Sequence, residues 1–203
     1  MPEVRRTLDG IQDARLVKAC RAGDERAFEA LVLAYQDQVF NVVYRMVGDR
    51  QEAMDLAQET FIKAFGALDS FNPRMPFRAW LLRICTNSAI DALRRRGRAP
   101  DARVEASGVD EPAVPGAGAG EFEPRAPASE IPENVSLARE TAETVAGALD
   151  TLPDKYKAAV VLHHVEGLSY SEIGKVLGVP KNTAKTWGRR GRDLLCDALE
   201  GVM

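Results

Sequence analysis

A proline- and glycine-rich stretch between residues 97 and 134 divides the chain into two unequal parts. It holds six prolines and the run Gly116–Gly120, and it has almost no large apolar residues besides Phe122 and Ile131. A segment of this composition cannot bury enough apolar surface to offset the entropy lost on ordering. The sequence therefore predicts a disordered N-terminus at 1–10, folded domains at 11–96 and 135–203, and a flexible linker at 97–134.

The composition excludes several broad classes of protein. With 45% hydrophobic and 28% charged residues, the chain is not wholly disordered. No apolar run approaches the roughly 18 residues of a membrane span, and no apolar stretch follows Arg5 and Arg6 as it would in a signal peptide. Cys20, Cys85 and Cys196 are widely spaced, so neither a disulfide framework nor a zinc site is expected. We therefore expect a cytoplasmic protein.

The first part has the periodicity of α-helices. Apolar residues recur at spacings of three and four, with interruptions at Gly23–Glu25 and Gly48–Arg50. Further helices are predicted at 51–68 and 76–96, the latter with Pro76 at its N-terminus, where a missing N–H loses no partner. The first part is thus predicted to be an all-α, four-helix bundle. The residues expected to face inward from its third helix are Met54, Ala57, Phe61, Ile62 and Phe65.

The second part has the layout of a helix-turn-helix. Ser169 and Glu172 form an S-x-x-E capping box that predicts the start of a helix, and Gly178 predicts its end. The next helix should begin near Pro180 and run to about Leu199. An ordinary helical hairpin with a charged, solvated face would show the same pattern. Two earlier helices are predicted at 135–149 and 154–165.

Positive charge is bunched in two places, although the formal net charge of the chain is −3. Seven arginines and one acidic residue lie between Arg74 and Arg98. Five basic residues and no acidic one lie between Lys181 and Arg192. Two basic stretches on a mildly acidic protein predict two separate contacts with anions.

Both parts resemble conserved regions of one protein family. Residues 55–65 (DLAQETFIKAF) and 77–96 (FRAWLLRICTNSAIDALRRR) are similar to region 2 of bacterial sigma factors of the extracytoplasmic-function group. Residues 167–178 (GLSYSEIGKVLG), followed by Lys185 and Arg190, resemble region 4 of the same factors. The resemblance implies a two-domain, all-α protein that brings RNA polymerase core to promoters and helps to open them.

A polar ridge is predicted on the third helix. Asp55, Gln58 and Glu59 lie at positions i, i+3 and i+4 and therefore share one helix face. The resemblance implies that this face binds the coiled coil of the largest subunit of RNA polymerase core. A solvated surface with a few local hydrogen bonds would have the same pattern.

Residues of the fourth helix suit melted DNA. Arginines bind phosphates, an aromatic ring can stack on an unpaired base, and asparagine can read a base edge. Trp80 could equally belong to the core, since large aromatic residues are commonly buried. The resemblance places a pocket for a flipped base of the minus-ten element at the Ser70–Met75 loop. The residues predicted to contact single-stranded DNA are Arg74, Arg78, Trp80, Arg83, Asn87 and Arg94.

The last helix is predicted to bind the minus-thirty-five element. Lysine and arginine reach phosphates and guanine edges, and threonine contacts the backbone or a methyl group. The chain departs from the family at Gly188 and Gly191, and each interior glycine costs about 1 kcal/mol relative to alanine. Trp187 either fills the space beside Gly188 or faces DNA. The predicted contacts are Lys181, Thr183, Lys185, Thr186, Arg189, Arg190 and Arg192.

The sequence offers no recognisable catalytic constellation. His163 and His164 are adjacent, so their side chains are expected to diverge, and with Glu166 they lack a metal-ligand spacing. No P-loop, nucleophile elbow or dinucleotide-binding turn is present. We expect no enzymatic activity, no metal or other cofactor, and no small-molecule substrate. A helical metalloenzyme is the remote alternative.

The leading interpretation is a dissociable, noncatalytic subunit of RNA polymerase. Its expected partners are RNA polymerase core and promoter DNA, and the resemblance adds an anti-sigma factor, which in this group is often membrane-bound. The alternative is a helix-turn-helix regulator that binds duplex DNA without polymerase. That alternative does not explain the polar ridge that includes Asp55, or the polar and aromatic side of the fourth helix from Trp80 to Asn87.

Overall fold

The described part of the chain is helical, as the sequence predicts. The structure is a computed structural model that describes residues 10–97 and 144–200. Helices joined by short turns make up these residues, and no strand occurs among them. The predicted all-α fold class is confirmed. The predicted N-terminal segment and linker lie, except for residues 10 and 97, outside the described residues.

Local capping residues set the bounds of the first helices. Asp24 accepts hydrogen bonds from the backbone N–H groups of Arg26 and Ala27, at 3.0 and 3.3 Å, and so caps the second helix. Asp49 caps the third by accepting from the N–H of Glu52 at 2.8 Å. These helices are α1 (Gly10–Arg21), α2 (Glu25–Val47), α3 (Arg50–Gly66) and α4 (Phe77–Arg96), with a 3₁₀ turn at Leu68–Ser70.

The remaining helices contain the predicted helix-turn-helix. The capping box is confirmed, since Ser169 Oγ accepts from the Glu172 N–H while Glu172 Oε2 accepts from the Ser169 N–H. Gly178 ends that helix with a φ of 67°, a left-handed conformation that favours glycine. The helices are α5 (144–150), α6 (Asp154–Val160, continued by a π-helical turn at Val161–Val165), α7 (Tyr170–Leu177) and α8 (Lys181–Glu200).

The first four helices pack around α2. Its side chains at Tyr35, Val39 and Met46 are almost completely buried. The Tyr35 hydroxyl donates to the buried Asp13 carboxylate at 2.8 and 2.9 Å, which ties α1 to α2. Burial raises the pKa of Asp13 although the hydrogen bond from Tyr35 opposes this shift.

We call α1–α4 the first group of helices and α5–α8 the second group. The two groups pack against each other through a continuous hydrophobic core. Leu81 and Leu82 of α4 belong to the same buried cluster as Leu162, Ile173 and Val176 from the second group. Composition predicts the properties of the linker, but it carries no information on whether the flanking domains touch. In this structure α4 makes the most extensive contact between the two groups, because it packs on α2 and α3 and also on α7, while α2 contacts α6 and the π-helical turn after it.

Two glycines let α8 approach its neighbours closely. A Cβ atom at Gly191 would lie 2.6 Å from Val160 Cγ2 and 2.9 Å from the carbonyl oxygen of Tyr156. A Cβ atom at Gly188 would lie 2.7 Å from a ring carbon of Tyr170. All three distances are far below van der Waals contact. The low helix propensity of these glycines is therefore offset by close packing of α8 on α6 and α7.

We expect Gly191→Ala to destabilise the protein, even though alanine is the better helix former. The methyl group would overlap a methyl group of Val160 and the backbone carbonyl oxygen of Tyr156, which cannot move independently of α6. We expect a cost of about 1–3 kcal/mol in the free energy of unfolding. Gly147→Ala is the control, because Gly147 is also helical and its Cβ would meet no atom within 4 Å. That variant should gain up to about 1 kcal/mol. Urea unfolding of both variants checks the prediction, and a Gly191→Ala protein as stable as the parent would contradict it.

Candidate protein-binding and nucleic-acid interfaces

The three polar residues predicted on α3 lie together on its outer face. Asp55 and Gln58 are exposed, and Glu59 is partly exposed and pairs with Lys63 at 3.0 Å. Gln51 donates a long hydrogen bond of 3.5 Å to Asp55. The opposite side of the helix is buried. We call Asp55, Gln58 and Glu59 the α3 ridge.

An apolar pair beside the α3 ridge corrects the sequence prediction. Ile62 and Phe65 were expected to face inward, but they are 49% and 43% exposed. Ala57 and Phe61 are buried as predicted, and Thr60 and Ala64 take the other inward positions. The ring of Phe65 packs against Phe28 of α2 at 4.6 Å. The outer side of α3 therefore combines charged, amide and apolar groups.

Four of the six residues predicted to contact single-stranded DNA share one side of α4. Residues 80, 83, 87 and 94 are spaced by nearly whole helical turns. Arg83, Asn87 and Arg94 are exposed, and Arg94 lies 3.8 Å from Asp91. Arg74 lies on the exposed loop that precedes the helix. We call Trp80, Arg83, Asn87 and Arg94 the α4 face.

Trp80 combines the two roles that the sequence left open. Its side chain is partly buried, with the ring 5.1 Å from that of Phe71 and 5.6 Å from that of Phe77. These contacts fix its orientation. The part that stays exposed lies on the same side of α4 as Arg83 and Asn87, where an unpaired base could stack on it.

Arg78 lies on the other side of α4 and contacts the second group of helices. Its Nη2 donates to the carbonyl oxygen of Glu166 at 2.8 Å and to the Glu166 carboxylate at 3.1 Å. The Glu166 side chain is only 1% exposed, and it also accepts a hydrogen bond from Gln38 of α2. One buried carboxylate thus links α2 and α4 to the turn before α7.

A second polar link joins the two groups of helices at Lys157. This lysine is 3% exposed, and its Nζ donates to the carbonyl oxygen of Met46 at 2.8 Å and to Asp150 at 2.7 Å. The Met46 carbonyl belongs to the last turn of α2, where the helix dipole favours a cation. The Lys157 ammonium is therefore stabilised by a carbonyl oxygen of the first group of helices and by a carboxylate of the second.

Four of the predicted duplex-binding residues form a continuous basic face on α8. Lys181, Lys185, Arg189 and Arg192 are exposed and lie within a narrow sector of the helix. The opposite side, which contains Ala184, Gly188 and Gly191, is buried. We call the four basic residues the α8 basic face.

The other predicted residues of α8 lie beside this face. Thr186 is exposed and donates to the carbonyl oxygen of Asn182 at 2.9 Å, while Thr183 is partly buried. The nearby Arg190 guanidinium lowers the pKa of the Tyr156 phenol of α6. Trp187 is also partly buried, with Lys155 Nζ 5.9 Å from its ring centre. Arg190 and Trp187 thus turn toward α6 rather than along the basic face.

The two histidines differ from the sequence prediction in their geometry. Their rings do not diverge but meet edge to face, with centroids 4.9 Å apart. His163 also stacks on Tyr170 at 4.4 Å and bonds through Nδ1 to the Leu168 carbonyl at 2.8 Å. Burial, and then the nearby His163 and Arg192, lower the pKa of His164.

Residues that could support other chemistry are scattered. Within residues 10–97 and 144–200, no three His, Cys, Asp or Glu side chains are placed to hold a metal ion. The three cysteines are free, and burial raises the pKa of the Cys20 and Cys85 thiols. Among the described helices, none has the length and apolarity that a bilayer span requires.

The sequence reasoning missed Glu166 and Lys157. Both are buried charged residues, a rare situation that normally requires a partner. Lys157 directly precedes the buried apolar run Ala158–Leu162, and Glu166 lies four positions after the end of that run, directly before Gly167. Charged residues that flank a short apolar run are the signal that could have indicated these contacts.

Two family models match the chain. The model for Sigma-70 region 2 matches residues 31–99, and the model for Sigma-70, region 4 matches residues 142–195. The first match includes the α3 ridge and the α4 face, and the second includes the α8 basic face. Together they cover more than half of the chain.

Several relatives match over almost their whole length. The ECF RNA polymerase sigma factor SigW of Bacillus subtilis is 36% identical over 179 residues, which make up 88% of this chain and 92% of SigW. The RNA polymerase sigma-H factor of Pseudomonas aeruginosa is 37% identical over 195 residues, or 95% of this chain and 96% of that factor. The ECF RNA polymerase sigma-E factor of Escherichia coli is 35% identical, with coverages of 95% and 97%.

Solved structures show the same fold. CnrH, in complex with the cytosolic domain of CnrY, matches with a TM-score of 0.67 and 25% identity, over 94% of this chain and 98% of CnrH. The sigma factor RpoE of Bartonella quintana, in complex with the anti-sigma factor NepR, has a TM-score of 0.59 and 21% identity. That alignment covers 85% of this chain and 96% of RpoE.

We expect Glu166→Ala to lower the free energy of unfolding by about 1–3 kcal/mol, because it leaves Arg78 and Gln38 without their shared acceptor. Partial exposure of Arg78 lets water replace some of the lost contact, which keeps the cost below that of a fully buried pair. Glu29→Ala, at an exposed position of α2, should change stability by less than about 0.5 kcal/mol. Chemical denaturation measures both variants, and equal losses would contradict a linking role for Glu166.

Proposed function

Because the chain belongs to the extracytoplasmic-function group of the sigma-70 family, we propose that three surfaces divide the work of promoter opening. The α3 ridge binds RNA polymerase core. The α4 face holds the melted strand of the minus-ten element, and the α8 basic face binds the minus-thirty-five element as duplex. The chain acts as a noncatalytic subunit in the cytoplasm, where it meets both polymerase and DNA.

The arrangement of the α4 face carries this proposal. Trp80, Arg83, Asn87 and Arg94 extend over fourteen residue steps, or about 21 Å of helix. Along that length the helix offers a ring for stacking, an amide for a base edge and two cations for phosphates. A regulator that only binds duplex DNA would need the α8 basic face and nothing like this second surface.

The composition of the α3 outer face suits a protein partner. Charged and amide groups give specificity and steer association, whereas apolar groups supply most of the area that is removed from water. Asp55, Gln58 and Glu59 provide the first kind, and Ile62 and Phe65 provide the second immediately beside them. Exposed apolar groups next to a polar ridge support binding of polymerase core rather than a purely solvated surface.

Packing between the two groups of helices keeps Arg78 from reaching DNA. In the arrangement described here, its guanidinium is held by Glu166, so it reaches DNA only after that contact breaks. We propose that binding to core separates α4 from α7 and releases Arg78 to the minus-ten strand. Core would then also set the distance between the α4 face and the α8 basic face, and convert two weak DNA contacts into one strong one.

An anti-sigma factor is the third partner that we propose. CnrH and the Bartonella quintana RpoE were both solved in complex with a second protein, which in the latter case is named as an anti-sigma factor. The α3 outer face is the surface that such a protein would cover to prevent binding of core.

Replacing Asp55, Gln58 and Glu59 together with alanine should weaken binding to RNA polymerase core by about tenfold or more, because interface energy concentrates in a few residues. Since the three side chains are exposed, the fold should be retained, as circular dichroism would report. Fluorescence anisotropy of labelled protein titrated with core measures the affinity.

The matched control replaces Gln12, Glu25 and Glu29 with alanine. These residues supply one amide and two carboxylates, and all three are exposed on α1 and α2. Affinity for core should then stay within about twofold of the parent. A triple α3 variant that binds core as tightly as this control would remove the α3 ridge from the proposal.

Duplex binding and melting should respond to different variants. Arg83→Ala with Asn87→Ala should lower the permanganate reactivity of unpaired thymines by about tenfold in the presence of core, with little loss of duplex binding. Lys185→Ala with Arg189→Ala should weaken duplex binding and reduce its salt slope by about 2, because each phosphate contact contributes about 0.9. The DNA is a promoter selected by the reconstituted holoenzyme from a library with randomised elements.

Arg15→Ala with Lys18→Ala is the control for lost positive charge, since both residues are exposed on α1. It should leave melting and the salt slope unchanged. If the α4 and α8 variants lose both activities in the same proportion, the two surfaces do not have separate roles. Tight, specific duplex binding by the free chain, unchanged by core, would favour the regulator instead.

A further inference from the structure

A single arginine of α1 binds the loop between α3 and α4 through several hydrogen bonds. Arg21 donates from Nε and Nη2 to the carbonyl oxygen of Leu68, at 3.0 and 2.8 Å. The same Nη2 lies 3.1 Å from the carbonyl oxygen of Asp69 and 2.7 Å from that of Phe71. One guanidinium therefore gathers three backbone carbonyls that lie 47 to 50 residues further along the chain.

These carbonyls belong to the 3₁₀ turn and to the first residue after it. The Leu68 carbonyl also accepts from the Phe71 N–H at 3.1 Å, which closes the turn, and its second lone pair is free to accept from Arg21. Carbonyl groups beyond the last hydrogen bond of a helical turn need a partner from elsewhere. The planar guanidinium presents several N–H donors in fixed directions, which suits simultaneous bonding to neighbouring carbonyls. Arg21 thus fixes the path of the backbone where it enters the Ser70–Met75 loop.

The same loop is anchored on its other side by aromatic packing. The buried ring of Phe71 lies 5.8 Å from that of Phe77 and 5.1 Å from that of Trp80. Beyond Phe71, the Asn72 side chain accepts from the Arg74 N–H at 3.0 Å and closes the turn. The exposed tip of the loop therefore projects from a base that is held by Arg21 and by two aromatic rings of α4.

We propose that Arg21 is a positioning residue for base selection by the Ser70–Met75 loop. The inference rests on the proposed function, in which the α4 face receives the melted minus-ten strand, and it extends that role to the loop that leads into α4. Discrimination between bases requires donors and acceptors that stay within a fraction of an ångström of their working positions. A surface loop has little stability of its own, and Arg21 supplies the constraint from a helix that otherwise takes no part in DNA binding.

Because of where Arg21 lies, its side chain can be removed to test the loop without unfolding the protein. Its bonds to the loop are only partly buried, and that to Asp69 is exposed, so water can solvate the carbonyls when the guanidinium is removed. Loss of the side chain should thus loosen the loop without unfolding the bundle.

Hydrogen exchange of the free chain tests the constraint itself, independently of DNA. In Arg21→Ala, the amides of Ser70, Phe71, Arg74 and Met75 should exchange about tenfold faster than in the parent, while those of α2 keep their protection. Arg15→Ala removes an exposed arginine from the same helix and should leave these amides unchanged. Unchanged exchange at the loop in Arg21→Ala would overturn the proposal.

Base discrimination tests the consequence. Holoenzyme is assembled with each variant, and permanganate-detected melting is compared on promoters that carry each of the four bases at successive minus-ten positions. A wrong base costs a DNA-binding protein about fivefold or more, and we expect Arg21→Ala to reduce this ratio to about twofold at the position read by the loop. Arg21→Lys should be intermediate, because an ammonium cannot reproduce the planar set of donors.

The outcomes are distinct. Loss of discrimination in Arg21→Ala, with normal affinity for core and for minus-thirty-five duplex, supports the proposal. Full discrimination in that variant overturns it, and so does a parallel loss of core binding, duplex binding and helical signal. If the parent holoenzyme itself melts no promoter, the proposed function fails, whereas the exchange experiment still reports whether Arg21 holds the loop.

Discussion

The burial of α4 from two sides determines what the rest of the molecule can do. One side of this helix packs on α2 and α3, and another packs on α7. The remaining solvent-facing sector is narrow, and Arg83, Asn87 and Arg94 occupy it. The packing on α2 and α3 includes buried residues such as Cys85, whose thiol contacts the carbonyl oxygen of Val39 in α2. The orientation of the exposed sector therefore does not depend on the contact with α7. The α4 face is therefore a rigid surface, which suits recognition of unpaired bases.

The interface between the two groups of helices is mainly apolar, and two polar contacts add to it. Glu166 and Lys157 are charged groups with almost no exposure, and each bonds to the first group of helices. Buried charges of this kind add little net stability, because desolvation offsets their attraction. They penalise every arrangement in which a partner is missing, so they favour one orientation of the second group over others. Apolar contacts alone would tolerate small shifts along α4.

Features that depend on neighbouring residues were predictable from the sequence. Capping by Ser169 and Glu172, the end of α7 at Gly178 and the exposure of Asp55 and Gln58 follow from local spacing. The predicted burial of Ile62 and Phe65 was wrong, because an apolar side chain at the edge of a packed helix can remain exposed, as Phe65 does although its ring contacts Phe28. The contact between Arg78 and Glu166 spans 88 residues across the linker, and no local pattern encodes it. Gly188 and Gly191 similarly looked unfavourable until their neighbours on α6 and α7 were known.

The small inner side of α8 limits how this chain could be re-engineered or could diverge. A helix taken from a family member with a branched apolar residue at position 188 would bring that side chain against the ring of Tyr170, which lies only 2.7 Å from the position of a Cβ atom. Gly188 of α8 and the ring of Tyr170 fit each other closely, so a larger residue at 188 requires a change at 170. The outward positions 181, 185, 189 and 192 carry no such dependence. Under the role proposed for the α8 basic face, promoter preference would change through substitutions at these four sites alone, whereas replacing the whole helix would also require changes in the residues of α6 and α7 that pack against it.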